Sequence, residues 1–244
     1  MSRKAPSDPT RAVRKAAPAK PSARGVKAAP AAARQTRADP AIIRGQIKKA
    51  AEALFIQHGL IKMTLAMVAE QLDMSRPTVH YYYRTKSSLA EAVLEDYAKV
   101  SVQASQQNWL DPEASLDAKF EKSLQGARLR YQRYNPGGRG DRPWSLFARF
   151  YQELDLMTPA MGALIKSVAR EQEAYYAAAI NIAKARKELL PSAPSAGLSI
   201  QIVSMLHQVG WLTWAHGDFD AVQTAYETTL AGIKRAWGNE RARH

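Results

Sequence analysis

The chain of 244 residues contains no cysteine, which excludes disulfide bonds, thiolate nucleophiles and thiolate metal sites. It also lacks any run of about eighteen apolar residues, so we expect no membrane-spanning helix. Its first residues lack the apolar segment that a secretory signal requires. Together these absences favour a protein of the reducing cytoplasm.

Acidic residues are scarce near the N-terminus, and the net charge of +13 is therefore unevenly distributed. In residues 1–38, ten Lys and Arg residues stand against a single Asp and give +9. Residues 39–90 contribute +3 and residues 91–244 only +1. Excess Lys and Arg attracts polyphosphate through counterion release, an effect that is sensitive to salt and independent of nucleotide sequence. The charge thus predicts a nucleic-acid partner for the N-terminal end.

Residues 1–38 are mainly Ala, Pro, Lys, Arg and Ser, with almost no aromatic or β-branched side chain. Such a segment cannot bury enough apolar surface to fold alone, so we expect a disordered basic tail. Its prolines oppose the amphipathic helix of an organelle transit peptide.

The stretch from Met63 to Lys86 has the pattern of two short helices separated by a tight turn. Ser75 can cap the second helix, and Pro77 falls in its first turn, where a missing N–H costs nothing. This helix directs polar and aromatic side chains outward: Arg76, Thr78, Tyr81 and Tyr82. The arrangement is typical of a helix-turn-helix that enters the DNA major groove, although a helical hairpin with a solvated face has the same local pattern.

The flanking segments favour the DNA-binding alternative. Upstream, apolar residues repeat at helical spacing up to Phe55, and Gly59 ends the repeat. Asp39 can cap this helix, and Thr85 can cap a further one downstream. We therefore predict a DNA-binding domain over residues 39–90. Its helices are expected at residues 40–58, 65–72 and 76–82.

The rest of the chain, residues 91–240, has no alternating strand pattern and is expected to form a helical regulatory and dimerisation domain. With the three helices above, this predicts an all-α fold of about nine helices. The further helices are expected at residues 86–108, 113–134, 144–156, 159–190 and 196–216, with a last one from Asp218 or Asp220 to Trp237. The glycine-rich segment 137–140 is expected to be a flexible loop.

The motif and its flanks resemble the tetracycline-repressor (TetR) family of bacterial regulators in an ordered, ungapped match. The matching positions are Ala51-x-x-Leu54-Phe55-x-x-x-Gly59, Thr64, Val68-Ala69, Ser75, Pro77-Thr78-Val79, Tyr83 and Lys86-x-x-Leu89. Three positions depart from the family pattern: Asp73 replaces the turn glycine, Leu65 replaces a threonine, and His80 replaces a tyrosine. The resemblance implies an N-terminal three-helix helix-turn-helix domain, joined to a C-terminal helical domain for ligand binding and dimerisation.

The outward positions and the resemblance together predict the DNA contacts. These are Thr64, Arg76, Pro77, Thr78, His80, Tyr81, Tyr82 and Lys86. Arg76 is suited to a bidentate guanine contact. The resemblance implies phosphate contacts for Thr64 and Lys86, and His80 stands where relatives have a phosphate-facing tyrosine.

The family places its dimer interface on the last two long helices. Here those helices carry apolar stripes, and the resemblance implies an interface of Ile202, Met205, Leu206, Val209, Tyr226, Leu230 and Ile233. The alternative for each residue is burial within one chain. A two-fold dimer would match a palindromic operator.

Relatives usually enclose a small organic effector among the central helices. Aromatic and polar side chains there give candidate lining residues, namely Trp144, Phe147, Tyr151, Tyr175, His207 and Trp211. Aromatic residues at helical spacing also form ordinary cores, so that alternative stays open.

The sequence contains no recognisable catalytic constellation. The five histidines lack metal-ligand spacing, and neither a Gly-x-Ser-x-Gly nor a Gly-x-x-x-x-Gly-Lys motif occurs. We therefore expect no enzyme, no metal and no cofactor. The sequence predicts a DNA-binding regulator of the bacterial cytoplasm, associated with the nucleoid, and the resemblance alone implies repression. The alternatives are a weakly specific DNA-compacting protein that binds through the tail, and a helical enzyme, for which a catalytic residue set is missing.

Overall fold

The computed structural model describes residues 39–239, and the predicted disordered tail at residues 1–38 lies outside them. Within the described part the fold is all-α, as predicted, with one isolated β-bridge between Leu189 and Gly238. The nine α-helices of this part are α1 (Pro40–Lys62), α2 (Leu65–Gln71), α3 (Arg76–Tyr82), α4 (Lys86–Trp109), α5 (Leu116–Tyr134), α6 (Leu146–Tyr151), α7 (Pro159–Ala185), α8 (Ser195–His216) and α9 (Asp220–Trp237). A short 3-10 helix, Leu154–Leu156, lies between α6 and α7. We call α1–α3 the head and α4–α9 the body. Across residues 39–239, each helix is too short or too polar to cross a membrane.

Side-chain caps set the starts of the helices around the head. The Asp39 carboxylate accepts the Ala41 N–H at 2.9 Å at the start of α1. The next three helices are capped by Thr64, Ser75 and Thr85. Each cap pairs a backbone N–H that has no partner inside its own helix, so the boundary is fixed locally.

Gly59 interrupts α1 at the point where the sequence predicts the end of the helix, and a short second helical segment follows it. Gly59 has a φ of +70°, in the left-handed region that glycine tolerates. Helical bonding then resumes, and the N–H of Met63 donates to the Gly59 carbonyl at 3.3 Å. The range Pro40–Lys62 therefore comprises a helix up to the Gly59 kink, as predicted, and one further turn beyond it.

Three helices of the body are shorter than predicted. α5 begins at Leu116 and not at residue 113, because Ser115 caps it. α6 begins at Leu146 and ends at Tyr151, because a turn separates it from the 3-10 helix. α7 ends at Ala185, because Lys187 adopts a φ of +61° and the N–H of Glu188 bonds back to the Ala183 carbonyl at 2.9 Å. This backward bond across five residues is a Schellman ending, which satisfies a carbonyl at the end of the helix.

Hydrogen bonds connect the glycine-rich loop between α5 and α6 to its surroundings. The Asn135 amide bridges to Arg142, accepting its N–H at 3.0 Å and donating to its carbonyl at 3.1 Å. The N–H of Gly140 donates to the Gly217 carbonyl at 2.7 Å. The loop is thereby docked on the turn between α8 and α9.

Aromatic rings fill the core of the body. Trp109 meets Phe120 and Tyr176 edge-on, with ring centres 5.4 and 4.8 Å apart. Phe120 in turn lies edge-on to Tyr226 at 6.3 Å. These contacts join α4, α5, α7 and α9 in the arrangement that aromatic quadrupoles prefer.

Candidate nucleic-acid interface

A tight turn fixes α3 relative to α2. Asp73 follows α2 with a φ of +51°, and the N–H of Met74 donates to the Ala69 carbonyl at 2.8 Å. Asp73 thus adopts the left-handed conformation expected of the glycine that it replaces. A short polar side chain is among the few besides glycine that visit this region routinely.

α3 is anchored on one side and open on the other. The Ser75 hydroxyl accepts the Thr78 N–H at 3.2 Å and lies 2.7 Å from the Thr78 hydroxyl. Val79 and Tyr83 are buried beneath the helix. A helix of seven residues is too short to be stable in isolation, so the cap and the two anchors hold it in place.

The open face of α3 carries the predicted DNA contacts. Arg76, Pro77, His80 and Tyr81 are exposed, and Thr78 and Tyr82 are half-buried. The Tyr81 side chain is 80% exposed and meets the Tyr82 ring edge-on at 5.2 Å. Arg44 of α1 lies 5.5 Å from the centre of the Tyr82 ring. The face offers guanidinium, hydroxyl and imidazole groups, which supply the donors and acceptors that base edges and phosphates require.

The sequence does not predict a role for Arg44, because the spacing of residues does not show which cation will lie above which aromatic ring. Its partner Tyr82 is 38 positions further along the chain, on another helix. Arg44 supports the Tyr82 ring by a cation–π contact of the kind that occurs often between Arg and aromatic side chains.

The two predicted phosphate contacts have different surroundings. Thr64 is exposed, and its hydroxyl accepts the Met67 N–H at 3.3 Å as the cap of α2. Lys86 is half-buried, and its ammonium donates to the carbonyls of Leu60 and Ile61 at the end of α1. A phosphate bound by Lys86 would therefore compete with these carbonyls.

The six predicted pocket residues differ widely in exposure. Three of them are exposed, namely Tyr151, His207 and Trp211. Phe147 and Tyr175 are half-buried. Trp144 is buried, and its indole N–H donates to the Thr213 hydroxyl at 2.9 Å. Trp144 is thus a core residue, because its polar atom already has a buried partner.

A cavity of about 350 Å³ lies elsewhere, between the end of α5, the glycine-rich loop and the start of α9. The Arg128 guanidinium forms part of its wall, 4.6 Å from the centre of the Phe219 ring. Tyr131, in the same wall, donates its hydroxyl to the Gly138 carbonyl at 2.7 Å, and burial raises the pKa of this phenol. The walls come from three separate segments, which is why the sequence did not point to them.

The predicted dimer residues largely face the inside of the chain. Ile202, Val209, Tyr226 and Ile233 are buried, and Met205, Leu206 and Leu230 are half-buried. The Tyr226 hydroxyl, for example, lies 3.2 Å from the Ser123 hydroxyl of α5. The first four therefore belong to the core of the single chain. α8 presents a different stripe to solvent: Ile200, Ser204, His207, Trp211 and Trp214.

These features define the class of protein. α2, the turn and α3 form a helix-turn-helix backed by α1, and a larger helical body continues from it. Residues 47–93 match the family model described as bacterial regulatory proteins, tetR family. This match covers most of the head and the start of α4, and over these residues the chain is similar to the TetR family of bacterial regulators.

Solved structures show the same fold across head and body. A TetR transcriptional regulator from Chloroflexus aurantiacus superposes with a TM-score of 0.68 at 15% identity, over 82% of this chain and 98% of that one. The reduced form of Escherichia coli NemR gives 0.64 at 16% identity, over 80% and 97%. A complex of SmeT with triclosan gives 0.58 at 16% identity, over 82% and 93%. No curated protein sequence matches the chain.

Proposed function

We propose that the protein is a dimeric repressor that binds a palindromic operator through α3 and leaves it when a small organic effector binds the body. The observation that carries the DNA-reading part is the capped and anchored α3, from which Arg76, Thr78 and Tyr81 point away from the core. A guanidinium can bond to both major-groove acceptors of guanine, and hydroxyls can serve other base edges. Repression and release are taken from the family.

Arg76→Ala tests the reading role. Operator sequences are selected from random duplex DNA with the wild type, and affinities for selected and random duplexes are measured at one salt concentration, since salt alone changes both. We expect the variant to lose about 1–3 kcal/mol of discrimination. Arg84→Ala is the control, because it removes the same charge from an exposed position just after α3. If both variants weaken binding to all duplexes alike, Arg76 is only a phosphate contact.

The exposed stripe on α8 supports dimerisation. Its members Ile200, Ser204, His207, Trp211 and Trp214 recur at alternating spacings of four and three residues, the period of a helix–helix seam. Trp211 and Trp214 are 56% and 68% exposed. Two exposed indoles on one helix face are typical of an interaction site. A second copy that presents the same stripe would cover both by two-fold symmetry.

An aromatic, largely apolar effector suits the side chains of α6, where Phe147 and Tyr151 lie. The complex of SmeT with triclosan is a precedent for a small organic ligand on this fold. Phe147 meets the Tyr97 ring of α4 edge-on at 4.9 Å, so a ligand bound between α4 and α6 would contact both rings. A titration that follows operator release tests this assignment, and Phe147→Ala should weaken the response to the effector if the effector binds there.

A DNA-compacting protein is the second candidate, and the net charge of +9 in residues 1–38 favours it. Counterion release by such a segment gives affinity for any duplex. Equal affinity of the wild type for selected and random DNA would support this candidate over the repressor.

A further inference from the structure

An ion pair of the body holds the end of α1. The Arg149 guanidinium on α6 donates to the His58 carbonyl at 3.2 Å. The Glu153 carboxylate, just after α6, accepts the Leu60 N–H at 2.5 Å. The two side chains pair with each other at 3.2 Å. We call Arg149 and Glu153 the α1 clamp, because they bond to the backbone on both sides of the Gly59 kink.

The kink and the α1 clamp fit each other. A Cβ atom at Gly59 would overlap the Glu153 carboxylate and the Arg149 guanidinium. The clamp therefore occupies the space that glycine leaves empty. The rings of Phe55 and Phe150 meet edge-on at 5.5 Å, so an apolar contact between α1 and α6 accompanies the ionic one.

A gain in folding stability does not by itself explain the ion pair of the α1 clamp. The side chains of Glu153 and Arg149 are only 7% and 20% exposed, so both charges have lost most of their hydration. The Nε–H of Arg149 is buried without a hydrogen-bond partner among residues 39–239. Ion pairs that are this deeply buried contribute little net stability, and fixing a single arrangement is the better-attested use for them.

A second residue of the body bonds to the same end of α1. Lys86, at the start of α4, donates to the carbonyls of Leu60 and Ile61. α1 in turn packs directly on α2, and α2 on α3. Residues 58–61 of α1 are therefore one of the places that set the position of α3 relative to the body, beside the packing of α1 on α4.

We propose that Arg149 and Glu153 are positioning residues for DNA binding: they hold α1, and through it α3, in the orientation that fits the operator. The inference rests on the proposed function, since it requires a sequence-specific α3. It makes operator affinity depend on two side chains of the body that lie outside the helix-turn-helix.

The test uses full-length protein and three variants. Glu153→Ala removes the acceptor of the Leu60 N–H, and we expect about tenfold weaker operator binding with a smaller loss on random DNA. Glu153→Gln keeps an acceptor oxygen and should restore part of the affinity. Asp117→Asn is the control, because it breaks the ion pair with Lys234 at 2.7 Å between α5 and α9, and should leave DNA binding unchanged.

Two results would overturn the positioning role. One is operator affinity in Glu153→Ala equal to that of the wild type. The other is an equal loss on operator and random DNA together with a lower melting temperature, which indicates a merely structural role. If the wild type itself prefers no duplex, the proposed function fails, and amide hydrogen exchange then decides. Faster exchange in α3 for Glu153→Ala than for Asp117→Asn supports positioning, and equal exchange refutes it.

Discussion

Trp211→Ala tests whether the outer face of α8 meets a second copy of the chain. The side chain is 56% exposed, and a tryptophan can bury about 250 Å², so about 140 Å² is available to a partner. At about 25 cal/mol per Å², its loss would cost up to ~3.5 kcal/mol per protomer and ~7 kcal/mol per symmetric dimer. If a third of the figure for the symmetric dimer is realised, ~2 kcal/mol, the Kd of the dimer rises about 30-fold.

Sedimentation equilibrium over a range of protein concentrations measures this change directly. Leu129→Ala is the matched control, because Leu129 is 69% exposed but lies on α5 and not on α8. We expect the control to dimerise like the wild type and Trp211→Ala to shift towards monomer. Binding to a palindromic duplex should weaken with the dimer, whereas binding to a single half-site should not.

Unchanged dimerisation of Trp211→Ala would refute the assignment of the α8 stripe. A parallel loss in Leu129→Ala would refute it as well, because the effect would then follow from exposed apolar surface in general. Thermal unfolding at fixed protein concentration distinguishes a loss of dimerisation from a third outcome, in which the variant is less well folded.

Three further predictions concern the tail, His80 and the core. Deleting residues 1–38 should make the dependence of log affinity on log salt less steep, because ten cations are removed. The preference for the operator should survive, and loss of all preference would instead show that the tail reads the minor groove. His80→Ala should weaken operator binding at fixed salt and pH, because the exposed imidazole can donate a hydrogen bond to a phosphate. Unchanged affinity would remove His80 from the interface. Thr213→Val should lower the free energy of unfolding by about 1–3 kcal/mol in denaturant titrations, because the Trp144 indole loses its buried acceptor. If Thr213→Val costs as much in a Trp144→Phe background, this hydrogen bond is not the cause.

Local chemistry made much of the head predictable. Asp39, Ser75 and Thr85 cap their helices as predicted, because each cap lies within three residues of the N–H that it pairs. Asp73 takes the left-handed turn position for a similar reason. The turn requires a positive φ at this one residue, and the residue's own short polar side chain allows it. The register of the helix-turn-helix therefore followed from neighbouring residues.

Contacts between distant segments could not be predicted in this way. In the sequence Lys86 is a cation available for phosphate, and only the fold brings it to the carbonyls of α1. Arg149 reaches a carbonyl 91 positions earlier in the chain. On α8, periodicity detects an apolar helix but does not say which face turns inward. The sequence predicts Ile202 for the interface and Trp211 for the pocket, but Ile202 is buried and Trp211 is exposed.

α4 belongs to both halves of the molecule, and this limits how the protein can be recombined. Its first turns supply the buried Leu89, Val93 and Leu94 where it packs on α1, and its last residue, Trp109, lies in the aromatic core of the body. A junction at residue 90 would thus cut through a continuous helix whose two ends serve different cores. Hybrid regulators that exchange heads between relatives would have to transfer α4 whole or splice it in helical phase. A head can therefore be combined only with a body that continues its α4 without a break.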